Sequence, residues 1–283
     1  MMKLLSSVLF IVISLSFSLN TAPFELKGKV SSNQGFPIPN ALVQIKENNR
    51  VIAQTRTNNF GEYNIPIIKT GTFSLIAGNQ NKYFHPVEIE EFEFNKLNSF
   101  NQDFKLSIDK QVLQEECARL RESYRHMVHN SRNISYKRAF LNRFPKSGIE
   151  MELFFSSLVH EVNLKKEAKR YIQTIFRHNF AGRNTYIILF IRFAQQTDMR
   201  IAGKQTKKFY EYATPIINAN KEILFKELEN AKDSQALNLF LWMFSGGSYG
   251  QKKMNTAFDY LAEKYPKVYT LMAKSFETYR KEE

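Results

Sequence analysis

The chain has 283 residues, 43% hydrophobic and 24% charged, with 25 Phe, 13 Tyr and one Cys. This composition excludes intrinsic disorder and provides enough length for two hydrophobic cores. The formal charge of +13 draws polyanions, and the lone Cys117 excludes an intramolecular disulfide, so stability must come from packing.

Met1-Met2-Lys3 followed by the uncharged run Leu4 to Leu19, ending in small residues at Ser16, Ser18 and Ala22, reads as a secretory leader. The run is shorter than the roughly 20 apolar residues that cross a bilayer, and Pro23 disfavours cutting after Ala22, so cleavage is expected after Ser18. No Cys stands near that point to carry a lipid. The expected product, periplasmic or secreted, has no lipid anchor and no transmembrane span.

From Phe24 to about Ile108 the pattern has a period of two, broken by turn residues every eight to twelve positions, which predicts a small antiparallel β-sandwich domain over residues 19–108. Phe24 to Val30, Ala41 to Ile45, Val51 to Thr57, Glu62 to Ile65 and Gly71 to Ala77 read as strands, with less regular pairing at His85 to Ile89 and Phe100 to Leu106. Ala41, Val43 and Ile45 share one face. The Gly35-Phe36-Pro37-Ile38-Pro39 stretch and Asn58-Asn59-Phe60-Gly61 are turn-forming, because Gly accepts positive φ and Pro cannot donate to a ladder.

Gly28-Lys29-Val30, Gly35 to Val43, Thr57 to Tyr63 and Gly71-Thr72-Phe73 follow, in order, the pattern G-x-V, G-x-P-I-x-x-A-x-V, T-D-x-x-G-x-F/Y, G-x-Y/F. The segment thereby resembles carboxypeptidase regulatory-like domains. The resemblance spans under a third of the chain and implies a transthyretin-like sandwich, an accessory module with no catalytic residues to carry over. Asn58 stands where an Asp is usual and suits the turn equally well. The zinc-binding His-x-x-Glu of the peptidase that sometimes accompanies the module is absent from the sequence.

Beyond Asp109 the period becomes 3.6. Leu113, Cys117, Leu120, Tyr124 and Met127 form one helical stripe with Asp109 as N-cap, and Cys117 on its apolar side reads as a buried thiol. Further helices are predicted over Met151 to Val162, Leu164 to Ile175, Tyr186 to Ala194, Ile223 to Leu228, Leu237 to Phe244, Met254 to Tyr265 and Pro266 to Arg280. Asn163 and Asp233 read as caps, Gly182 and Gly246-Gly247 as terminators. The expected fold is therefore multidomain α+β: a β-sandwich, then an all-α domain of seven or eight helices over residues 109–283.

Charge is unevenly placed. Residues 24–108 hold nine Lys+Arg against eight Asp+Glu, whereas residues 109–283 hold 30 against 19. Basic clusters fall at Arg119/Arg121/Arg125, at Lys165, Lys166, Lys169 and Arg170, and at Lys204/Lys207/Lys208. The second cluster is the candidate anion site. No nucleic-acid motif accompanies the charge, so the expected partners are an envelope protein or an anionic glycan or lipid surface, not nucleic acid.

His126 and His129, at i and i+3, are too weak a pattern for a metal site among arginines, and no metal or cofactor is expected. Glu115-Glu116 and Glu150/Glu152 read as helix-surface charges rather than a glycosidase pair. Ser245-Gly246-Gly247-Ser248-Tyr249-Gly250 lacks P-loop spacing and reads as an interhelical turn. Trp242, Tyr249 and Lys252 are the candidate ligand-lining residues there. No Gly-x-Ser-x-Gly elbow occurs, so no catalytic residue is assigned. The favoured expectation is an exported, non-catalytic envelope protein, its sandwich a docking or spacer module and its basic helical domain a binder. The alternative is an envelope hydrolase, acting on peptides or glycans, with its active site in the helical domain.

Overall fold

The computed structural model describes residues 24–67, 70–78, 82–95, 100–156, 164–176, 184–198, 202–247 and 253–280. The expected leader, the cap at Asn163, the terminator at Gly182, and the end of the helix expected to reach Val162 lie outside these residues.

Eight strands come first: β1 (Phe24–Ser32), β2 (Leu42–Glu47), β3 (Arg50–Arg56), β4 (Glu62–Ile67), β5 (Gly71–Gly78), β6 (Val87–Phe94), β7 (Phe100–Asn101) and β8 (Phe104–Leu106). One sheet, β3-β2-β5-β6, is antiparallel throughout. In the other, β1 is central, with β4 antiparallel to it and β7 and β8 parallel to it. The alternation expected for Ala41, Val43 and Ile45 holds, and all three are buried.

Strands β7 and β8 keep a single register on β1 and are one strand interrupted at Gln102-Asp103. The interruption is anchored by Gln102 N–H donating to the Lys27 carbonyl at 2.8 Å, Lys29 N–H donating to Asp103 Oδ1 at 2.8 Å and Tyr63 Oη donating to the Gln102 carbonyl at 2.6 Å. A Cβ at Gly28 would overlap that same carbonyl, so the first glycine of the G-x-V pattern is required by close backbone approach. Strand β6 runs to Phe94, past the expected end at Ile89. Its register shifts opposite Phe73/Leu75, and Glu91 takes a φ of 56°, so Ile89 and Phe92, three positions apart, both turn toward the core. Asn58 performs the turn as expected, its Oδ1 accepting from Phe60 and Glu62 N–H at 2.9 and 3.0 Å.

The helices follow: α1 (Lys110–His129), α2 (Ile134–Arg143), α3 (Gly148–Phe155), α4 (Ala168–Ile175), α5 (Thr185–Gln196), α6 (Lys204–Ala219), α7 (Lys221–Leu228), α8 (Gln235–Phe244), α9 (Leu261–Lys264) and α10 (Pro266–Arg280). These ten, among the described residues, include two that the spacing did not reveal. Helix α2 buries only Phe140 and Leu141, and α6 buries Gln205 and Thr206 beside its apolar residues, so neither shows a clean apolar stripe. The helix expected over Met254 to Tyr265 is instead a 3-10 turn at Thr256–Phe258 followed by the single-turn α9. Asp109 caps α1 as expected, accepting from Val112 N–H at 3.0 Å. For α8 the cap is Ser234, whose Oγ accepts from Leu237 N–H at 3.1 Å, while Asp233 binds Lys274 and Asn238. Gly246, at φ 84°, ends α8.

No flexible spacer separates the halves. Ile108 bridges to Phe84 beside the β8 terminus, and the N–H of Asp109 donates to the Tyr83 carbonyl at 2.8 Å just before α1 begins. One cluster of buried apolar residues runs from Leu26 in the sandwich to Met272 in α10. Across the seam Tyr83 meets Phe154 edge-on at 5.7 Å, and Lys82 donates to Glu116 Oε1 at 2.6 Å. None of the described helices is long and apolar enough to cross a membrane.

Candidate functional site

The carboxylates expected on helix surfaces are mostly built in. Glu116, 9% exposed, accepts from Lys82 and Arg119, each at 2.6 Å. Burial disfavours its charge, but those hydrogen bonds outweigh it and hold the carboxyl below its ordinary value. Glu152, 3% exposed, accepts from the N–H groups of Gln205 and Thr206 at 3.0 Å and from the Thr206 hydroxyl at 3.1 Å, capping α6 from a different helix. Glu150 accepts from Lys146 N–H at 2.7 Å while Ser147 Oγ accepts from Glu150 N–H, a capping-box arrangement at the start of α3. Burial raises the Glu150 carboxyl, with the Lys146 N–H opposing the shift. Only Glu115 matches the surface reading.

The basic residues behave differently. Lys204 and Lys208, four apart, share one side of α6, while Lys165 in the turn before α4 and Lys169 in its first turn flank the start of α4. Helix α4 buries Tyr171, Ile172 and Ile175, and α6 buries Phe209, Ala213 and Ile217. Their packing, with Phe176 and Phe209 rings 5.2 Å apart, brings the two lysine pairs to one concavity. It has a volume of about 320 Å³, with Lys165, Lys169, Lys204 and Lys208 around a lining that includes Ala168, Ile172 and Gln205. No carboxylate is among its described lining residues.

The first amides of α6 are taken by Glu152, so a ligand in the cleft would meet the lysine side chains and not that helix terminus. Helix α4 has no side-chain N-cap, and its first-turn residues Ala168 and Lys169 line the cleft, adding the positive end of its peptide dipoles. Glu167, the nearest carboxylate in sequence, is bound to Arg121 at 3.0 Å.

Of the four residues of the candidate anion site, Lys165 and Lys169 line this cleft. Lys166 is exposed but not in the lining, and Arg170 lies over the Tyr124 ring at 4.9 Å. Lys204 and Lys208 complete the set; the sequence marked them only as a basic cluster with i, i+4 spacing, and their meeting with Lys165 and Lys169 is a matter of tertiary packing. Among the other candidate ligand residues, Trp242 is 6% exposed and packs on Tyr279 at 5.5 Å, while Tyr249 and Lys252 lie outside the described residues. His126 stacks on Tyr136 at 5.9 Å and lies 3.6 Å from Glu122. No group of three His, Cys, Asp or Glu side chains suited to a metal ion occurs among the described residues.

Residues 25–107 match the family pattern of the carboxypeptidase regulatory-like domain, which thus coincides with the β-sandwich. No curated protein matches the chain. Among solved structures, 5-hydroxyisourate hydrolase of Klebsiella pneumoniae is similar at 16% identity and TM-score 0.25, over 30% of this chain and 90% of that one. A putative carbohydrate binding protein from Bacteroides uniformis is similar at 18% identity and TM-score 0.24, over 30% of this chain and 41% of the other. A type II cohesin–X-dockerin complex from Acetivibrio cellulolyticus is similar at 11% identity and TM-score 0.24, over 30% of this chain and 56% of the other.

Proposed function

We propose that the protein is an exported, non-catalytic envelope protein whose helical half holds an anionic envelope component in the lysine cleft between α4 and α6, the β-sandwich serving as a docking module. The observation that carries this reading is the convergence of four lysines, from two segments distant in the chain, on one concavity lined by no described carboxylate. Lysines gathered in one recess raise its positive potential, which attracts an anion. The apolar leader supports export. A hydrolase would need a titratable side chain aimed at a second one across a cleft. Glu150, the carboxyl raised by burial, is instead accounted for by its cap on α3.

The test is calorimetric titration of the mature chain with a bisphosphorylated glucosamine disaccharide and with its unphosphorylated counterpart. Binding of the phosphorylated form alone, weakening steeply with salt and about tenfold or more in the double variant Lys169→Glu/Lys208→Glu, is expected. Equal binding by the double variant would remove the basis of the reading. Export is checked by N-terminal sequencing of the extracytoplasmic protein, expected to begin at Leu19.

A further inference from the structure

A second concavity lies in the seam between the two halves and differs chemically from the lysine cleft. Its volume is about 720 Å³, within the usual range of ligand pockets. One wall is made by sandwich loops carrying Asn40, Asn59 and Lys82, the other by the start of α3 and the end of α5, carrying Glu150, Gln195 and Gln196. A smaller recess continues it along the seam, sharing Pro39, Asn59, Ile149 and Gln196.

The charges of the lining balance and are already engaged. Lys82 is the one described cation and is bound to Glu116 at 2.6 Å, while Glu150 accepts the Lys146 N–H at 2.7 Å. An ionic ligand would find no free counter-charge. What the cleft offers instead is carboxamides. The side chains of Asn40, Asn59 and Gln196 have no hydrogen-bond partner among the described residues, and Gln195 uses only its Nε2, on the Lys232 carbonyl at 2.6 Å. Asparagine suits the left-handed backbone at position 40, but local structure leaves these amide groups unengaged. The turn after β3 is built by Asn58, leaving Asn59 unused, and Asn40, at φ 58°, makes its pairing through its backbone, with N–H donating to the Thr57 carbonyl at 3.0 Å.

A carboxamide both donates and accepts, which matches a group that does the same. Sugar hydroxyls and peptide bonds both qualify. An extended peptide, however, gains most of its affinity by adding a strand to a sheet edge, and this cleft is lined by loops and helix ends, with no strand residue among its described lining. Pro39 and Ile149, next to the amides, supply an apolar contact suited to the C–H face of a sugar ring. We propose that the seam cleft is a binding site for a neutral glycan, held by the side-chain amides of Asn40, Asn59 and Gln196. This site is independent of the anion reading of the lysine cleft.

The experiment applies the mature full chain to immobilised neutral oligosaccharides of the β-1,4-glucan, α-1,4-glucan, xylan, mannan and chitin series, alongside heparin fragments and a library of extended peptides. The expected result is retention on at least one neutral series that is insensitive to salt. In the triple variant Asn40→Gly/Asn59→Ala/Gln196→Ala that retention weakens about tenfold or more with the thermal midpoint unchanged. The glycine keeps the left-handed backbone at position 40. Lys169→Glu/Lys208→Glu leaves it unaltered. Retention on no neutral glycan, retention on peptides alone, or full binding by the triple variant would each overturn the proposal, and none of these outcomes bears on the lysine cleft.

Discussion

Replacing Glu152 by alanine should destabilise the fold far more than replacing it by glutamine. A single oxygen, Oε1, receives the Gln205 and Thr206 N–H groups at 3.0 Å and the Thr206 hydroxyl at 3.1 Å, in a site only 3% exposed. The N-cap of α6, Gly203, has no side chain that could replace it, and a Cβ there would intrude on the carboxylate. A buried donor left unsatisfied costs about 1–3 kcal/mol, and hydrogen bonds to a charged group contribute about 1.5–3 kcal/mol. Stranding two amides should therefore cost about 4 kcal/mol in Glu152→Ala, after allowing for partial relaxation around the truncated side chain. Glu152→Gln keeps an acceptor oxygen in place and loses only the charge assistance and the interaction with the helix dipole, about 1–1.5 kcal/mol. Urea titrations followed by circular dichroism give both values from the midpoints at a common slope. If the two variants fell within about 0.5 kcal/mol of each other, the carboxylate would be a packing residue and the cap argument would be wrong.

Three other outcomes follow from the same geometry. Glu116 is held below its ordinary value of 4.5 by Lys82 and Arg119 despite its burial. Its contribution should be complete above about pH 4.5 and fade as pH falls through the lowered native value, so the stability gap between the native protein and Glu116→Gln should shrink in acid; a gap constant from pH 7 to about 3 refutes this. Cys117, buried at 1% exposure and with its thiol pushed up to about 12, mainly by desolvation, should resist a disulfide reagent in the folded protein and react at once in denaturant. Rapid reaction in buffer would show that α1 opens there. Gly28→Ala should lower stability by about 3 kcal/mol or more, because the new Cβ meets a backbone carbonyl that Tyr63 also holds, and a thermal midpoint within a degree or two of the native one would contradict it.

Much of the fold was legible in residue spacing. The change of period at Asp109, the capped stripe of α1, the Asn58 turn, the glycine terminator of α8 and the helix opened by Pro266 all appear where local chemistry places them. Each depends on neighbours within a few residues, which is the range over which side-chain periodicity and capping carry information. Helices α2 and α6 were missed for a related reason. One is mostly exposed, and the other buries polar residues, so the apolar signal failed although the backbone is helical. The doubled glutamate in β6 broke the period-two pattern, and only the bulge at Glu91 explains why the aromatic residues beyond it still reach the core.

By itself the sequence determined the two architectures, the basic excess of the helical half and the candidacy of Lys165 and Lys169. Tertiary structure decided which groups meet: that Lys204 and Lys208 join that pair, that Glu116 clasps the seam, that Glu152 caps a helix other than its own, and that amides of the sandwich loops and of the end of α5 face one cleft. The physical reason is that periodicity states which face of an element is buried, whereas the partner on that face is chosen by packing between segments distant in the chain.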